Sequence, residues 1–416
     1  MWQALALMAC FHATNAATGA SAMRRYALCG ALLGSAFLTK GFLAVITPII
    51  VIIPFMAWEQ RLRELLRFGW IALATAVAVS LPWSLLIHAR EPDFWHHFLS
   101  VEHIHSFYNR NAKPGESLSY YLPLLLLITF PWLLLFAGAP LREIMHNRSQ
   151  RMRRLDRFCI CWIGSALAIF LIARSKLPMY VLPCLIPMAV LMGTSAARLI
   201  EAGGEGIFQS GIQLSRGVLV LVLITAVLNF TAGFGTPAWR AHETVQWIWL
   251  CIVLMIWIGL LRIALTASPR KRHWIIALSV VPAFTLLPLY MPELIYAGRM
   301  PGNFLKEQAD TIAPDAIIAT DSTLLSSASW YFKRTDIYLV GSAGEAEYGL
   351  SYADARHRHI DYSVFGDFIA QSERPVAYFD KFGGKPPPDD LPRGASEGVM
   401  GRFILFRYYP GAERDR

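Results

Sequence analysis

The chain has 416 residues, of which 55% are hydrophobic and only 16% charged, and its formal net charge is +9. A soluble domain averages roughly 25% charged residues, whereas here the apolar residues come in blocks of about 20, the length of a helix that crosses a bilayer. This excludes a soluble globular protein and points to a polytopic α-helical membrane protein; the positive charge sits in short loops between the apolar blocks, which argues against a nucleic-acid-binding surface.

In chain order the apolar periodicity predicts ten spans: 1–18, 26–38, 41–58, 67–88, 118–138, 156–174, 177–197, 216–235, 244–262 and 274–291. The second is short enough to suggest a tilted or broken helix, and Pro183 and Pro187 interrupt the seventh. Prolines are tolerated in membrane helices where neighbouring groups satisfy the freed backbone. The six cysteines all lie in apolar stretches, and Cys159 and Cys161 lack zinc-site spacing. They read as small lipid- or core-facing side chains.

Lys and Arg set the orientation. Arg24 and Arg25 precede span two; Arg61, Arg63 and Arg67 follow span three; Arg142 to Arg157 follow span five; Arg262 to Arg272 follow span nine. Simple alternation puts all four groups on one side, taken as cytoplasmic. The 89–117 loop, Lys40, the turn holding Arg174 and Lys176, and everything after 291 are then extracytoplasmic. An even number of spans also puts Met1 outside without a signal peptide. We therefore expect an odd number of further spans upstream of residue 1.

The tail, 292–416, changes character. Charges return, and short β-rich runs occur at 316–320, 337–340, 376–379 and 402–407, with helices expected at 322–333 and 362–371. This predicts a transmembrane domain over 1–291 and a small extracytoplasmic α/β domain over 292–416.

The residues that suggest chemistry gather on the outer side. Four of the 11 histidines fall within 96–110, beside Glu102 and Arg110. If 93–109 is helical, His96, His103 and Arg110 share one stripe over an apolar underside, and such a helix can lie in the membrane interface. With Lys40, Arg174 and Lys176 they place cations where insertion normally leaves few, as binding of an anionic lipid phosphate requires. Tyr180 adds a hydrogen-bond donor beside Lys176. Plainer readings stand beside each: a solvated interfacial helix for 93–109, snorkelling for Lys40, and interfacial anchoring for Arg174, Lys176 and Tyr180. His103, next to Glu102, is also a candidate ligand for a divalent metal ion or a proton relay.

Four stretches carry a family resemblance: Phe37-Leu-Thr-Lys-Gly-Phe42, Arg90-Glu-Pro-Asp-Phe-Trp95, Val101-Glu-His-Ile104 and Ser175-Lys-Leu-Pro-Met-Tyr-Val-Leu-Pro183. Together with Glu345-Ala-Glu-Tyr-Gly-Leu350 in the tail, they resemble the lipid A 4-amino-4-deoxy-L-arabinose transferases. These are polyprenyl-phosphate-dependent glycosyltransferases of the GT-C fold, related to protein O-mannosyltransferases. The resemblance implies transfer of the sugar from undecaprenyl phosphate to lipid A on the periplasmic face of the bacterial inner membrane. It also implies binding roles for His103, Lys176 and Tyr180 near the lipid phosphate or a metal. Ser106 stands where the family usually has Arg, with Arg110 one helical turn further. The family's essential acidic residues lie in a first periplasmic loop that would precede residue 1. Two alternatives remain: a protein O-glycosyltransferase, and a non-catalytic lipid-phosphate binding or transport protein. Transporters place polar groups near the midplane of their spans, whereas here they gather at one surface.

Overall fold

The computed structural model describes residues 1–15, 19–99, 121–135, 153–172, 181–201, 205–296, 299–381, 396–400 and 403–410. They form two compact units: Met1–Leu219 with Leu260–Ala277, and Val220–Gly259 with Leu278–Arg416.

Among the described residues the first unit is built of helices. Its elements are α1 (Trp2–Thr14), α2 (Ala20–Lys40), α3 (Leu43–Trp58), α4 (Leu62–Arg90), α5 (Phe94–His96), α6 (Tyr121–Thr129), α7 (Trp132–Leu135), α8 (Arg154–Ile172), α9 (Leu182–Glu201) and the first part of α10 (Glu205–Ala232). The span expected to be short or broken is instead the continuous 21-residue helix α2. Among the described residues three helical segments are long and apolar enough to cross a membrane: Leu62–Arg90, Phe208–Ala232 and Ala241–Thr266. Leu43–Trp58 and Leu182–Arg198 are shorter apolar helices.

Small residues decide how α2 and α4 meet. Gly30 and Gly34, one helical turn apart, face Ala72 and Ala76 at matching steps, so the two helices run parallel. A methyl group on Gly30 would lie 2.1 Å from the Ala72 carbonyl oxygen, and one on Gly34 would lie 2.6 Å from that of Ala76. In lipid no hydrophobic effect drives helices together, so this backbone approach and the dispersion contact it permits are the adhesive. Helices α3 and α8 run antiparallel: Ser165 Oγ donates to the Ile50 carbonyl at 2.9 Å. Around them Leu7, Phe55, Met56, Phe158, Trp162 and Cys184 form one buried cluster, in which Phe55 and Phe158 meet edge to face at 5.2 Å.

In the second unit the end of α10 and the start of α11 (Thr244–Thr266) pack through Phe230 and Trp247, stacked at 4.6 Å. The tenth expected span is broken. It comprises α12 (Pro269–Ser279), in which the boundary between the units falls, then α13 (Val281–Thr285) and α14 (Leu287–Tyr290). Pro282 and Pro288 sit in the first turns of the last two, where their missing N–H costs nothing.

After α15 (Glu293–Tyr296) and α16 (Gly302–Ala309) the chain forms an α/β layer structure. Its strands are β1 (Ile317–Thr320), β2 (Tyr338–Val340), β3 (His359–Ile360), β4 (Val376–Lys381), β5 (Ser396–Met400) and β6 (Phe403–Tyr408). Helices α17 (Leu325–Phe332), α18 (Glu347–Leu350) and α19 (Tyr362–Gln371) lie between them in sequence. The sheet order is β3-β2-β1-β4-β6-β5. The first four strands are parallel, and β6 runs antiparallel to both β4 and β5. Alternation along each strand feeds two cores. Ile318, Phe379, Phe403 and Leu405 face one side with Phe304 and Leu324. Ala319, Tyr378, Phe406 and Tyr408 face the other with Phe365.

Candidate lipid-phosphate site

The helical unit has two chemically different ends. One gathers the ends of α1, α3, α4, α8 and α9. There Glu59, following α3, receives Arg154 and Arg157 of α8, each at 2.9 Å. Asp156 receives Arg198 of α9 at 2.7 Å, and Arg61 pairs with Glu64. Arg154 Nη1 also donates to the Thr14 carbonyl at 3.1 Å and bonds the side chain of Asn15. Arg25 Nη1 donates to the His12 carbonyl at 3.1 Å. Three of the basic loops expected on one side therefore do meet at one end. Their arginines act there as cross-links between helix ends, with carboxylates and carbonyls as counterparts.

The other end carries Lys40. It is the last residue of α2 and is exposed. Gly41 follows at φ +66°, a backbone angle that glycine adopts without a Cβ penalty, and its N–H closes the helix on the Phe37 carbonyl at 2.7 Å. Phe42 completes the turn into α3. Its ring contacts Phe37 at 5.1 Å and Phe98 at 5.9 Å between centroids. Phe98 stacks on Phe94 at 5.4 Å, and Trp83 near the end of α4 meets Phe94 and Trp95 at 5.8 and 6.4 Å. An aromatic cluster thus ties the Lys40 turn to the first turn of the 89–117 loop. Aromatic rings of this kind favour the membrane–water boundary.

The same end collects other helix termini. The pairing of Ser165 with Ile50, and of Arg154 and Arg157 with Glu59, brings the C-terminus of α8 beside the N-terminus of α3. The Asp156–Arg198 pair makes α9 antiparallel to α8, so α9 begins where α8 ends. His88 and Arg90 lie in the last turn of α4. Lys40, His88 and Arg90 also each complement the partial negative charge at a helix C-terminus. Lys40 forms no hydrogen bond or ion pair with any described residue.

Of the candidate phosphate-site residues Lys40, His103, Arg110, Arg174, Lys176 and Tyr180, only Lys40 falls among the described ones, and of the histidine stripe only His96, in α5. His103, Arg110, Arg174, Lys176 and Tyr180 lie outside them, as does the expected helix over 93–109 beyond residue 99. The aromatic cluster was not foreseen; its signal was the density of Phe and Trp on either side of Arg90.

Among the described residues one trio has metal-ligand chemistry, in the second unit: His242, Glu243 and Glu293. Its carboxylates are already engaged. Glu243, 1% exposed, accepts the backbone N–H groups of Arg240 at 2.7 Å and Glu293 at 2.6 Å. Glu293 meets His242 at 3.2 Å and Arg240 at 3.8 Å. A cation beside an already neutralised carboxylate leaves little attraction for a metal ion, so the trio is a clasp between the start of α11 and the start of α15.

The chain is 34% identical over 417 residues to the undecaprenyl phosphate-α-4-amino-4-deoxy-L-arabinose arabinosyl transferase of Shewanella sediminis, covering 98% of this chain and 73% of that one. It belongs to that arabinosyl transferase family. It is accordingly a glycosyltransferase and a membrane protein. The relative of the same name from Aeromonas salmonicida is also 34% identical, over 93% of this chain and 70% of its own length. Residues 296–407 match the family described as arabinosyl transferase ArnT, C-terminal domain. The crystal structure of ArnT from Cupriavidus metallidurans bound to undecaprenyl phosphate has the same fold. The TM-score is 0.73 at 18% identity, over 99% of this chain and 75% of that one.

Proposed function

We propose that this arabinosyl transferase takes 4-amino-4-deoxy-L-arabinose from undecaprenyl phosphate and passes it to lipid A on the periplasmic face of the inner membrane. Family membership across nearly the whole chain carries the reading. The separation of charges in the helical unit supports it. The arginines at one end are matched by carboxylates, while Lys40 at the other end has no described partner and stands beside an aromatic boundary.

In this reading residues 1–291 form the transmembrane domain, and residues 292–416 an α/β domain in the periplasm. The donor's phosphate docks at the Lys40 end while its polyprenyl tail stays in lipid. Breaking the bond between the anomeric carbon and the phosphate oxygen leaves negative charge on the departing phosphate. Lys40, Arg174 and Lys176 stabilise that charge, with Arg110 and His103 contributing from the 89–117 loop and Tyr180 donating a hydrogen bond. Placing fixed cations where charge develops stabilises the transition state more than the ground state, which is the requirement for catalysis.

The test is the fate of labelled sugar. Membranes containing the chain receive undecaprenyl phosphate carrying labelled 4-amino-4-deoxy-L-arabinose, together with lipid A. Label recovered on lipid A is the expected result. Label recovered on protein would overturn the acceptor assignment in favour of an O-glycosyltransferase of proteins.

A further inference from the structure

The α/β layer has a cleft of its own. About 630 Å³ in volume, it is lined by Gly341, Ser342, Glu347, Arg356, Asp361 and Tyr362, among others. That is within the usual range for small-molecule sites, roughly 300–1,000 Å³. It opens where β2 and β3 end, on the carboxyl side of the parallel strands, the side on which open α/β sheets hold their ligands.

The fold builds the cleft with close backbone packing. The chain leaves β2 at Gly341, φ +80°, where a Cβ would stand 2.1 Å from Cε2 of Tyr362. His359 fixes the same turn, its Nε2–H donating to the Gly341 carbonyl at 2.7 Å. Glu347 and Leu350, which belong to the tail stretch singled out in the sequence, form part of the wall.

Charge and polarity define the occupant. The lining carries two carboxylates, Glu347 and Asp361, with one guanidinium, Arg356, and the imidazole of His359, whose Nε2 is engaged by the Gly341 carbonyl. Behind Tyr362 lie two more acids: its hydroxyl meets that of Tyr378 at 3.4 Å, and Tyr378 donates to Asp380 at 2.6 Å. Asp321 follows β1, its N–H donating to the Phe379 carbonyl at 3.1 Å. The field therefore favours a monocation, and Ser342 and Arg356 add groups suited to hydroxyls. We propose that this cleft binds an amino sugar, with its ammonium between Glu347 and Asp361 and its hydroxyls on Ser342 and Arg356. The choice of sugar rests on the donor proposed above.

The experiment is ligand-observed saturation-transfer NMR on the full chain in nanodiscs, titrated with free 4-amino-4-deoxy-L-arabinose. The expected result is a saturable signal that weakens about tenfold in Glu347→Gln and again in Asp361→Asn, as loss of a charge-assisted hydrogen bond predicts. Both residues are exposed, and Asn retains the preference for the first position before α19, so circular dichroism should not change. L-arabinose, which lacks the amine, should bind at least tenfold more weakly. Nanodiscs loaded with a lipid-linked form of the amino sugar separate two sources. Suppression of the free-sugar signal assigns the cleft to a lipid-borne headgroup, and an undiminished signal assigns it to the free sugar. Equal binding in the Glu347→Gln/Asp361→Asn double variant, or equal binding of L-arabinose, overturns the proposal. Sugar transfer measured on the same preparation keeps that outcome distinct from failure of the proposed reaction.

Discussion

Asp380 gives the α/β layer a pH dependence with a definite sign. Its side chain is 5% exposed at the end of β4. It accepts the Tyr378 hydroxyl at 2.6 Å and the Lys381 N–H at 2.5 Å. Burial outweighs those hydrogen bonds and, with Asp321 nearby, raises the carboxyl from its ordinary 3.8 to about 6. Such a rise costs the ionised form about 3 kcal/mol in the folded state. The folded chain holds the proton more tightly than the unfolded chain, so this contribution is fully present below pH 3.8. It is lost as pH rises through about 6. Asp336 acts in a different window: its hydrogen bonds from Arg334 lower it to about 2, so its contribution is present above 3.8 and fades only below that. Between pH 4 and 7 the Asp380 effect therefore stands alone of the two. Hydrogen exchange of the β4 and β6 amides, corrected for the intrinsic pH dependence of exchange, should show the opening free energy falling by up to about 3 kcal/mol across that window. Asp380→Asn should flatten the profile and match the low-pH wild type. An unchanged slope in the variant, or stability that rises with pH in the wild type, would rule out Asp380 as the source of the pH dependence.

Gly34→Leu should separate α2 from α4, because even a Cβ there overlaps the Ala76 carbonyl; the cost is about 2 kcal/mol or more, measurable as a lower midpoint of denaturation in detergent. Glu59→Gln leaves Arg154 and Arg157 without their shared carboxylate. Since both arginines remain about one quarter exposed, the loss should be about 1–2 kcal/mol rather than the full price of a buried broken pair, read by the same measurement at low and high salt. Lys40→Ala and Lys176→Ala should each lower sugar transfer by roughly tenfold to a hundredfold while leaving folding intact; transfer at wild-type rates in both would remove them from the donor site.

Much of the fold was legible because membrane insertion and sheet alternation both write themselves into sequence. Each of the ten expected spans has a helical counterpart, and the four β-rich runs of the tail became β1, β2, β4 and β6. The misses have physical causes. The span over 26–38 was trimmed by Ala, Ser and Arg residues at its start, yet those residues lie within α2, where Tyr26 and Ala22 are buried beside Phe68. Strand β3 is two residues long and is held by its neighbour β2. Strand β5 reads Ser-Glu-Gly-Val-Met, with little alternation of its own, and owes its form to β6. The outer cations could be counted from the sequence, but the aromatic contacts that bring Phe42 to Phe98 could not. They depend on α2 and α4 running parallel, which the pairing of Gly30 and Gly34 with small residues 42 positions later decides.

That parallel packing also links fold to chemistry. Because the small-residue seam holds α2 and α4 parallel, their C-termini point the same way: α2 ends at Lys40, level with Pro82 in the register of the seam, and α4 continues about two turns further to His88 and Arg90. Each helix C-terminus presents partial negative charge, which should reject a phosphate. The basic last turns offset that charge, and a Gly-Phe turn leads from Lys40 directly into α3. At the opposite end Glu59, Glu64 and Asp156 take up the arginines as counter-ions. The same kinds of cation thus have two uses in one unit. Where carboxylates accompany them they fasten helices; at the other end Lys40, without a described partner and beside aromatic rings, is the cation that the proposed docking of a donor phosphate calls for.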